Sequence, residues 1–353
     1  MPARVYLIII NSTKETLLNK PAYIIGTLAS HSSLQILKGA KDEGFSTLAI
    51  CRKGSENLYK SFNVADEIIV VDSFMELKSL DEKLTKKNVV LIPHGSFIAS
   101  GSLDDLKQLK THYFGNRNIL DWEVDRNKQR EWLGNADLLQ PKIYKAPEDI
   151  DGPVIVKFFG AAGGKGYFLT HSKEDFDKKI QEHPGKKYIL QEYVVGTPVY
   201  AHFFHSPLTG ELEIMGFDKR YESNVDSVGR VAAKEQIELG IETSYTIVGN
   251  MGLVVRESLL PMIHSMGERV IEASKELDGV GLFGPFCLET IITPDLKMYV
   301  FEISARIVAG TNPYINGSPY TDIRYNEPMS TGRRIAREIK HAAQQNQEEK
   351  VFK

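Results

Sequence analysis

The chain has 353 residues and a mass of 39.7 kDa, with 42% hydrophobic residues, enough for two or three domains with substantial cores. Its 43 basic and 46 acidic side chains leave a formal charge of −3, so no global field favours nucleic acid or an anionic membrane. Cys51 and Cys287 lie far apart without metal-ligand spacing, which speaks against a disulfide scaffold or structural zinc and suits a reducing cytoplasm.

Residues 5–10 are the longest N-terminal apolar run; the run is too short for a membrane span or a signal-peptide core and reads as an edge strand. Ser12 and Glu15 have capping-box spacing for a short helix that Pro21 would stop. Next comes a βαβ unit: a strand over 23–28, a helix over 33–43 and a strand over 47–50. Further β-like runs at 67–71 and 89–92 extend it into a small parallel sheet with helices on its faces. No Gly-x-Gly-x-x-Gly follows the first strand of this series, which argues against a nicotinamide enzyme. Ligands favour the carboxyl ends of such strands, where Ser30-His31-Ser32-Ser33 and His94-Gly95-Ser96 stand, so one crevice is expected to hold both. A helix start at Ser32 or Ser33 offers N–H groups to an anion, although the same hydroxyls suit capping.

Residues 122–134 are helical and heavily charged, a solvated face or a connection, which places a boundary near residue 125. After a loop over 141–153, two β-like runs, 154–159 and 167–170, flank Gly160-Ala161-Ala162-Gly163-Gly164-Lys165-Gly166. Glycine N–H groups can close on phosphate without interference from Cβ, while Lys157 and Lys165 supply positive charge. A strand follows where a helix would be needed, and Gly166 replaces the Walker Ser or Thr, so the loop reads as a hairpin lid over phosphates. A plain glycine-rich hairpin is the other reading. Residues 188–195 form a strand ending at Gly196, and Gln191, Glu192, Tyr193, Val194 and Val195 look like an adenine hinge, although any strand can end this way.

Asn250, beside Gly249, is expected in a turn, where its amide can serve a ligand or the turn itself. After a helix over 268–277, Glu289 and Glu302 end two β-like runs joined by Thr293-Pro294-Asp295, so a hairpin sets them side by side. Buried carboxylates are costly unless compensated; magnesium shared with phosphate oxygens would do this, and solvent-facing positions are the alternative. Arg306 would share the face of Glu302 and Ser304 if the strand continues, and its fork suits a transferring phosphoryl group or an ion pair. A polar terminal helix with Arg333 and Arg334 reads as a surface element, and no internal repeat is evident.

Lid, hinge and two late carboxylates in this order resemble the ATP-grasp superfamily. The blocks Ser30-His31-Ser32-Ser33-Leu34-Gln35, Pro93-His94-Gly95-Ser96-Phe97, Phe114-Gly115-Asn116-Arg117, Arg220-Tyr221-Glu222-Ser223-Asn224, Gly249-Asn250, Gly284-Pro285-Phe286-Cys287-Leu288 and Gly310-Thr311-Asn312 narrow it. They resemble the archaeal formate-dependent ligases that convert the 5-amino ribonucleotide AICAR to its formamido product, FAICAR. The matching blocks span Thr27 to Lys340.

The resemblance implies an α/β and α+β chain with a Rossmann-like parallel-sheet domain over 1–125 and a two-lobed ATP-grasp domain. The latter divides into a lid and hinge lobe over 126–205 and a C-terminal lobe with the metal carboxylates and terminal helix over 206–353. It implies that His31, Ser96 and Asn250 contact AICAR. Lys157, Gly163, Gly164, Lys165, Gln191, Glu192, Tyr193, Val194, Val195 and Glu222 would bind ATP, and Glu289 and Glu302 would hold Mg2+, with Mn2+ as an alternative. Arg306 and Lys165 would act on the transferring phosphoryl group. The implied partners are ATP, formate and AICAR, in a cytoplasmic homo-oligomer of purine biosynthesis without nucleic acid or membrane. The implied route runs through formyl phosphate to FAICAR, ADP and phosphate. An ATP-grasp ligase of another acid and amine, or a noncatalytic nucleotide-binding regulator, are the alternatives. Two departures stand out: Ser304 occupies a position where many ATP-grasp enzymes place Asn, and residues 1–20 lie outside the resemblance.

Overall fold

The computed structural model describes residues 6–9 as backbone and residues 23–99, 103–158, 167–241 and 243–353 in full. Ser12, Glu15 and the glycine loop with Gly163, Gly164 and Lys165 lie outside the described residues. Among the described residues no helix is long and apolar enough to cross a membrane.

The first sheet comprises β1 (Tyr6–Ile9), β2 (Ile24–Leu28), β3 (Ser46–Arg52), β4 (Glu67–Val71), β5 (Val89–Leu91) and β6 (His112–Tyr113), in the order β1-β4-β3-β2-β5-β6. Neighbours run parallel except β1, which lies antiparallel on β4 at the edge, as its apolar run led us to expect. Helices on both faces of a parallel sheet require continuous apolar strands, and Ile25, Leu48, Ile50, Ile69 and Val90 are fully buried. β2 lies between β3 and β5, so the loops after β2 and β5 diverge at the point where strand order reverses and a crevice opens.

The second sheet is antiparallel, in the order β7-β10-β8-β9, from β7 (Ile143–Tyr144), β8 (Val154–Phe158), β9 (Tyr167–Thr170) and β10 (Tyr188–Glu192). β8 and β9 form the expected hairpin, and Val154 and Val156 of β8 pack with Leu190 of β10 on Phe176. The third sheet, β13-β12-β11-β14-β15, is built from β11 (Thr197–His205), β12 (Leu212–Asn224), β13 (Tyr245–Leu253), β14 (Gly284–Ile292) and β15 (Met298–Ser304). Ala201, Phe203, Phe217, Leu288 and Ile303 bury one face of it with Ile263, Met266 and Val270 of helix Leu260–Asp278. Its other face carries polar side chains.

Two expectations change. The charged stretch near residue 125 packs into the core: helix Arg126–Asn135 buries Trp132, whose Nε1 donates to the Val270 carbonyl at 3.0 Å. The terminal helix, Thr331–Gln345, is not a surface element, because Ile335, Ala336, Ile339 and Ala342 are buried and it lies on helix Ser33–Asp42. Its arginines are satisfied internally. Arg334 pairs with Glu213 at 2.9 Å and Glu338 at 2.7 Å, and Arg333 pairs with Glu43 at 2.8 Å.

Candidate active site

Successive side chains of a strand alternate between faces, so the residues opposite the third sheet's apolar core converge on its polar face. Glu289 on β14 and Glu302 on β15 are directly opposed, and a register shift between Glu289 and Thr290 re-aims the ladder there. Glu289 is 2% exposed, whereas Glu302 reaches solvent from within a concave surface crowded with charge. Arg220 of β12 ion-pairs with Glu289 Oε1 and lies 4.0 Å over the Tyr200 ring. Burial works to lower the Arg220 pKa, but Glu289 outweighs it and raises it. The other oxygen, Glu289 Oε2, is buried with no hydrogen-bond partner. The Glu289 charge, the largest influence on it, pushes the Glu302 carboxyl up to about 7. An orphaned buried oxygen facing a second carboxylate with too much negative charge nearby fits a hard divalent cation that takes its other ligands from phosphate.

The lid sheet faces this surface. Lys157 on β8 holds its Nζ 3.3 Å from Gln191 Oε1 and 5.9 Å from the centre of the Phe301 ring on β15. Burial, then the Arg126 charge, pushes its ammonium down to about 8. At the hinge the Tyr193 N–H donates to the Pro153 carbonyl at 2.8 Å, and Glu192 Oε2 accepts from the Lys142 N–H at 2.9 Å. The lid sheet's own backbone therefore holds Glu192. Val194 is buried and Val195 is 68% exposed. Across the gap, Tyr167 and Tyr245 meet edge to face at 5.4 Å, and half-buried Glu222 on β12 has its pKa raised by burial and then by Asp226.

The ends of β2 and β5 do meet. Ser96 Oγ donates to Ser30 Oγ at 2.9 Å, and the His31 and His94 rings are 5.7 Å apart. His94 is wholly buried; its Nε2–H donates to the Leu28 carbonyl at 2.8 Å and its Nδ1 accepts from the Ser96 N–H at 3.2 Å, so it is a neutral brace between the strand ends. Burial pushes its pKa down to about 3. His31 is exposed to the crevice with φ 46°, and burial of the ring, then the Arg306 charge, lowers its pKa, leaving the imidazole uncharged at neutral pH. Neither serine caps helix Ser33–Asp42: Ser33 shares a 2.7 Å hydrogen bond with Tyr59, and the Ser32 hydroxyl is buried without a partner.

Asn250 lies within strand β13, not in a turn, and its Nδ2 donates to Asp218 Oδ2 at 2.7 Å. β15 stops at Ser304, so Arg306 leaves the strand face expected for it and pairs instead with Glu123 Oε1 at 2.9 Å. Ser304 is buried opposite Cys287. Sequence reasoning missed Asp218, His202, Tyr200 and Glu123. The alternation of Tyr200 and His202 along β11, and of Asp218, Arg220 and Glu222 along β12, was the signal for the first three.

A Rossmann-like sheet, an antiparallel lid and a five-stranded sheet presenting paired carboxylates define an ATP-grasp ligase. A solved ADP complex of N5-carboxyaminoimidazole ribonucleotide synthetase shares this fold, with a TM-score of 0.66 and 15% identity over 90% of this chain and 77% of that one. Residues 169–353 match the family described as "Domain of unknown function (DUF1297)", and residues 25–144 match "Protein of unknown function (DUF1246)". The 5-formaminoimidazole-4-carboxamide-1-(beta)-D-ribofuranosyl 5'-monophosphate synthetase of Pyrococcus horikoshii is 52% identical, over 93% of this chain and 98% of that one. Its counterpart in Methanocaldococcus jannaschii is 48% identical over 95% and 96% of the two chains. The crystal structure of an IMP biosynthesis protein, PurP, from Thermococcus kodakaraensis matches with a TM-score of 0.76 and 30% identity, over 93% of this chain and all of that one. The chain belongs to this 5-formaminoimidazole-4-carboxamide ribonucleotide synthetase family.

Proposed function

We propose that the protein formylates AICAR to FAICAR with ATP and formate, releasing ADP and phosphate. The observation that carries this reading is the Glu289–Glu302 pair, with its orphaned oxygen, whose charges act on Lys157 of the lid. Formate is an anion without an adequate leaving group. Its oxygen attacks the γ-phosphorus and ADP departs, giving formyl phosphate. The 5-amino nitrogen of AICAR then attacks the formyl carbon, the carbon–oxygen bond to phosphate breaks, and the nitrogen loses a proton.

Glu289 and Glu302 would hold Mg2+, with Mn2+ able to replace it, and the ion supplies positive charge for the triphosphate. Lys157 and Lys165 neutralise phosphate oxygens, and Arg306, held by Glu123, would act on the transferring group through its charge. Gln191, Glu192, Tyr193, Val194, Val195 and Glu222 line the adenine side. His31, uncharged at neutral pH, is suited to take the proton that the amine gives up. Closing the lid keeps water from formyl phosphate.

The test is ADP release from ATP, formate and magnesium with and without AICAR, with the nucleotide product identified by mass. FAICAR formed in step with ADP is expected. ADP release without FAICAR would redirect the search to another acceptor, and ATP binding without turnover would leave a regulator.

Lys157 gives the reading a pH signature. A triphosphate favours the charged ammonium, while the free protein releases that proton near pH 8, so binding takes up a proton above that point. ATP affinity is therefore expected to be level below pH 8 and to weaken above it by roughly tenfold per unit, the limit for one linked proton. Calorimetric titration of the nonhydrolysable analogue across pH 7 to 10 checks it. Lys157→Arg should move the break out of this range, and an unchanged break in that variant would remove Lys157 from the site.

A further inference from the structure

The third sheet's polar face carries a buried pair, Asp218 and His202, that the reaction scheme leaves unused. Asp218 on β12 is 1% exposed, and its two oxygens face two different partners. Oδ1 accepts from His202 Nε2 on β11 at 2.7 Å, and Oδ2 accepts from Asn250 Nδ2 on β13 at 2.7 Å. The geometry admits no slack. A Cβ added to Gly310 would stand 2.2 Å from Asp218 Oδ1 and 2.7 Å from His202 Cε1, so the 3-10 turn Ala309–Tyr314 closes directly on the pair.

An asparagine amide can ordinarily turn over, exchanging a donor for an acceptor at the same place. A carboxylate only accepts. Beside Asp218, Asn250 must therefore give its NH2 group inward, and its Oδ1, which no protein donor reaches among the described residues, is left as an acceptor. We propose that Asp218, steadied by His202, is a positioning residue that fixes the Asn250 amide so that it presents an acceptor to an N–H of the acceptor nucleotide. The inference rests on the reading that Asn250 contacts that nucleotide. It adds a specificity rule: a ligand offering only lone pairs at this point meets oxygen against oxygen.

A double-mutant cycle on the full chain tests it, using Asn250→Ala, Asp218→Asn and the combination, with KM for AICAR and for ATP measured for each. Asp218→Asn lets both amides turn over, and its expected effect is an AICAR KM raised about tenfold at unchanged ATP KM, the usual weight of a charge-assisted hydrogen bond. In the Asn250→Ala background the same change should shift the AICAR KM by less than about twofold, because Asp218 acts through Asn250. Equal effects in the two backgrounds, or no effect of Asp218→Asn in a folded protein, would overturn the positioning role while leaving the Asn250 contact standing. An Asn250→Ala variant with an unaltered AICAR KM would overturn the contact, and the inference with it. Should Asp218→Asn not fold, His202→Gln takes its place in the cycle, with the same outcomes read the same way.

Discussion

Glu302→Gln is expected to lower FAICAR formation about a thousandfold, the scale on which electrostatic stabilisation of a transferring group is lost, while the folded protein becomes no less stable. The two halves of this prediction come from the same geometry. Glu302 faces Glu289 across the ladder with its carboxyl pushed up to about 7, chiefly by that neighbouring charge. The sign follows. A carboxyl whose folded pKa exceeds its unfolded value binds more protons when folded, so the ionised group costs stability as pH rises from about 4.5 toward 7, and the cost persists above. Gln removes the repulsion along with the ligand oxygen. The melting temperature at pH 8 should therefore hold or rise as turnover collapses, a combination that general misfolding does not produce. Glu289→Gln differs, because it takes the carboxylate from the partly buried Arg220 guanidinium, and stability should fall along with activity. Activity of Glu302→Gln within tenfold of the parent at saturating magnesium would remove this pair from the metal site.

Much of this site was legible from chain order alone, because its parts sit where local pattern and fold agree. The parallel series announced the crevice, and the Pro294-Asp295 turn fixed the spacing of the two carboxylates. Where the reading failed, tertiary pairing overrode local chemistry. Gly249-Asn250 has turn composition, yet it lies in edge strand β13, where a Cβ on Gly249 would meet open space while one on Gly252 would stand 2.8 Å from the Tyr314 hydroxyl. Counting on from Glu302 puts Arg306 on a strand face, but the strand ends and Glu123, of helix Leu120–Val124, claims the guanidinium. Asp218 and His202 became a pair only through the register of β11 with β12, which no single segment encodes.

The terminal helix shows the same limit and yields the second large effect. Its composition reads as polar, yet Ile335, Ile339 and Ala342 are buried, its partner is helix Ser33–Asp42, and the contact depends on two residues without side chains. A Cβ on Gly39 would stand 2.2 Å from the Arg333 backbone nitrogen and 2.5 Å from the Gly332 carbonyl carbon. These are backbone atoms and cannot swing aside, so the helices must part. Gly39→Val is expected to cost about 3 kcal/mol, the upper range for overpacking. In a cooperative unit of 353 residues that corresponds to a fall in melting temperature on the order of 4 °C.

The damage should also reach the crevice, since Gln35 on the same helix donates to Thr311 Oγ1 at 2.6 Å and Asn312 Oδ1 at 2.8 Å, and Asn312 in turn donates to the His31 carbonyl at 3.2 Å. Separating the helices pulls on that chain. AICAR affinity is expected to weaken in folded Gly39→Val while ATP affinity holds. Gly152→Ala is the control, because open space surrounds its Cβ position. Thermal melts of the two variants, followed by separate titrations with AICAR and ATP, decide the matter. A Gly39→Val melt within about 2 °C of the parent would mean that the interface yields freely and that the terminal helix does not clamp the crevice.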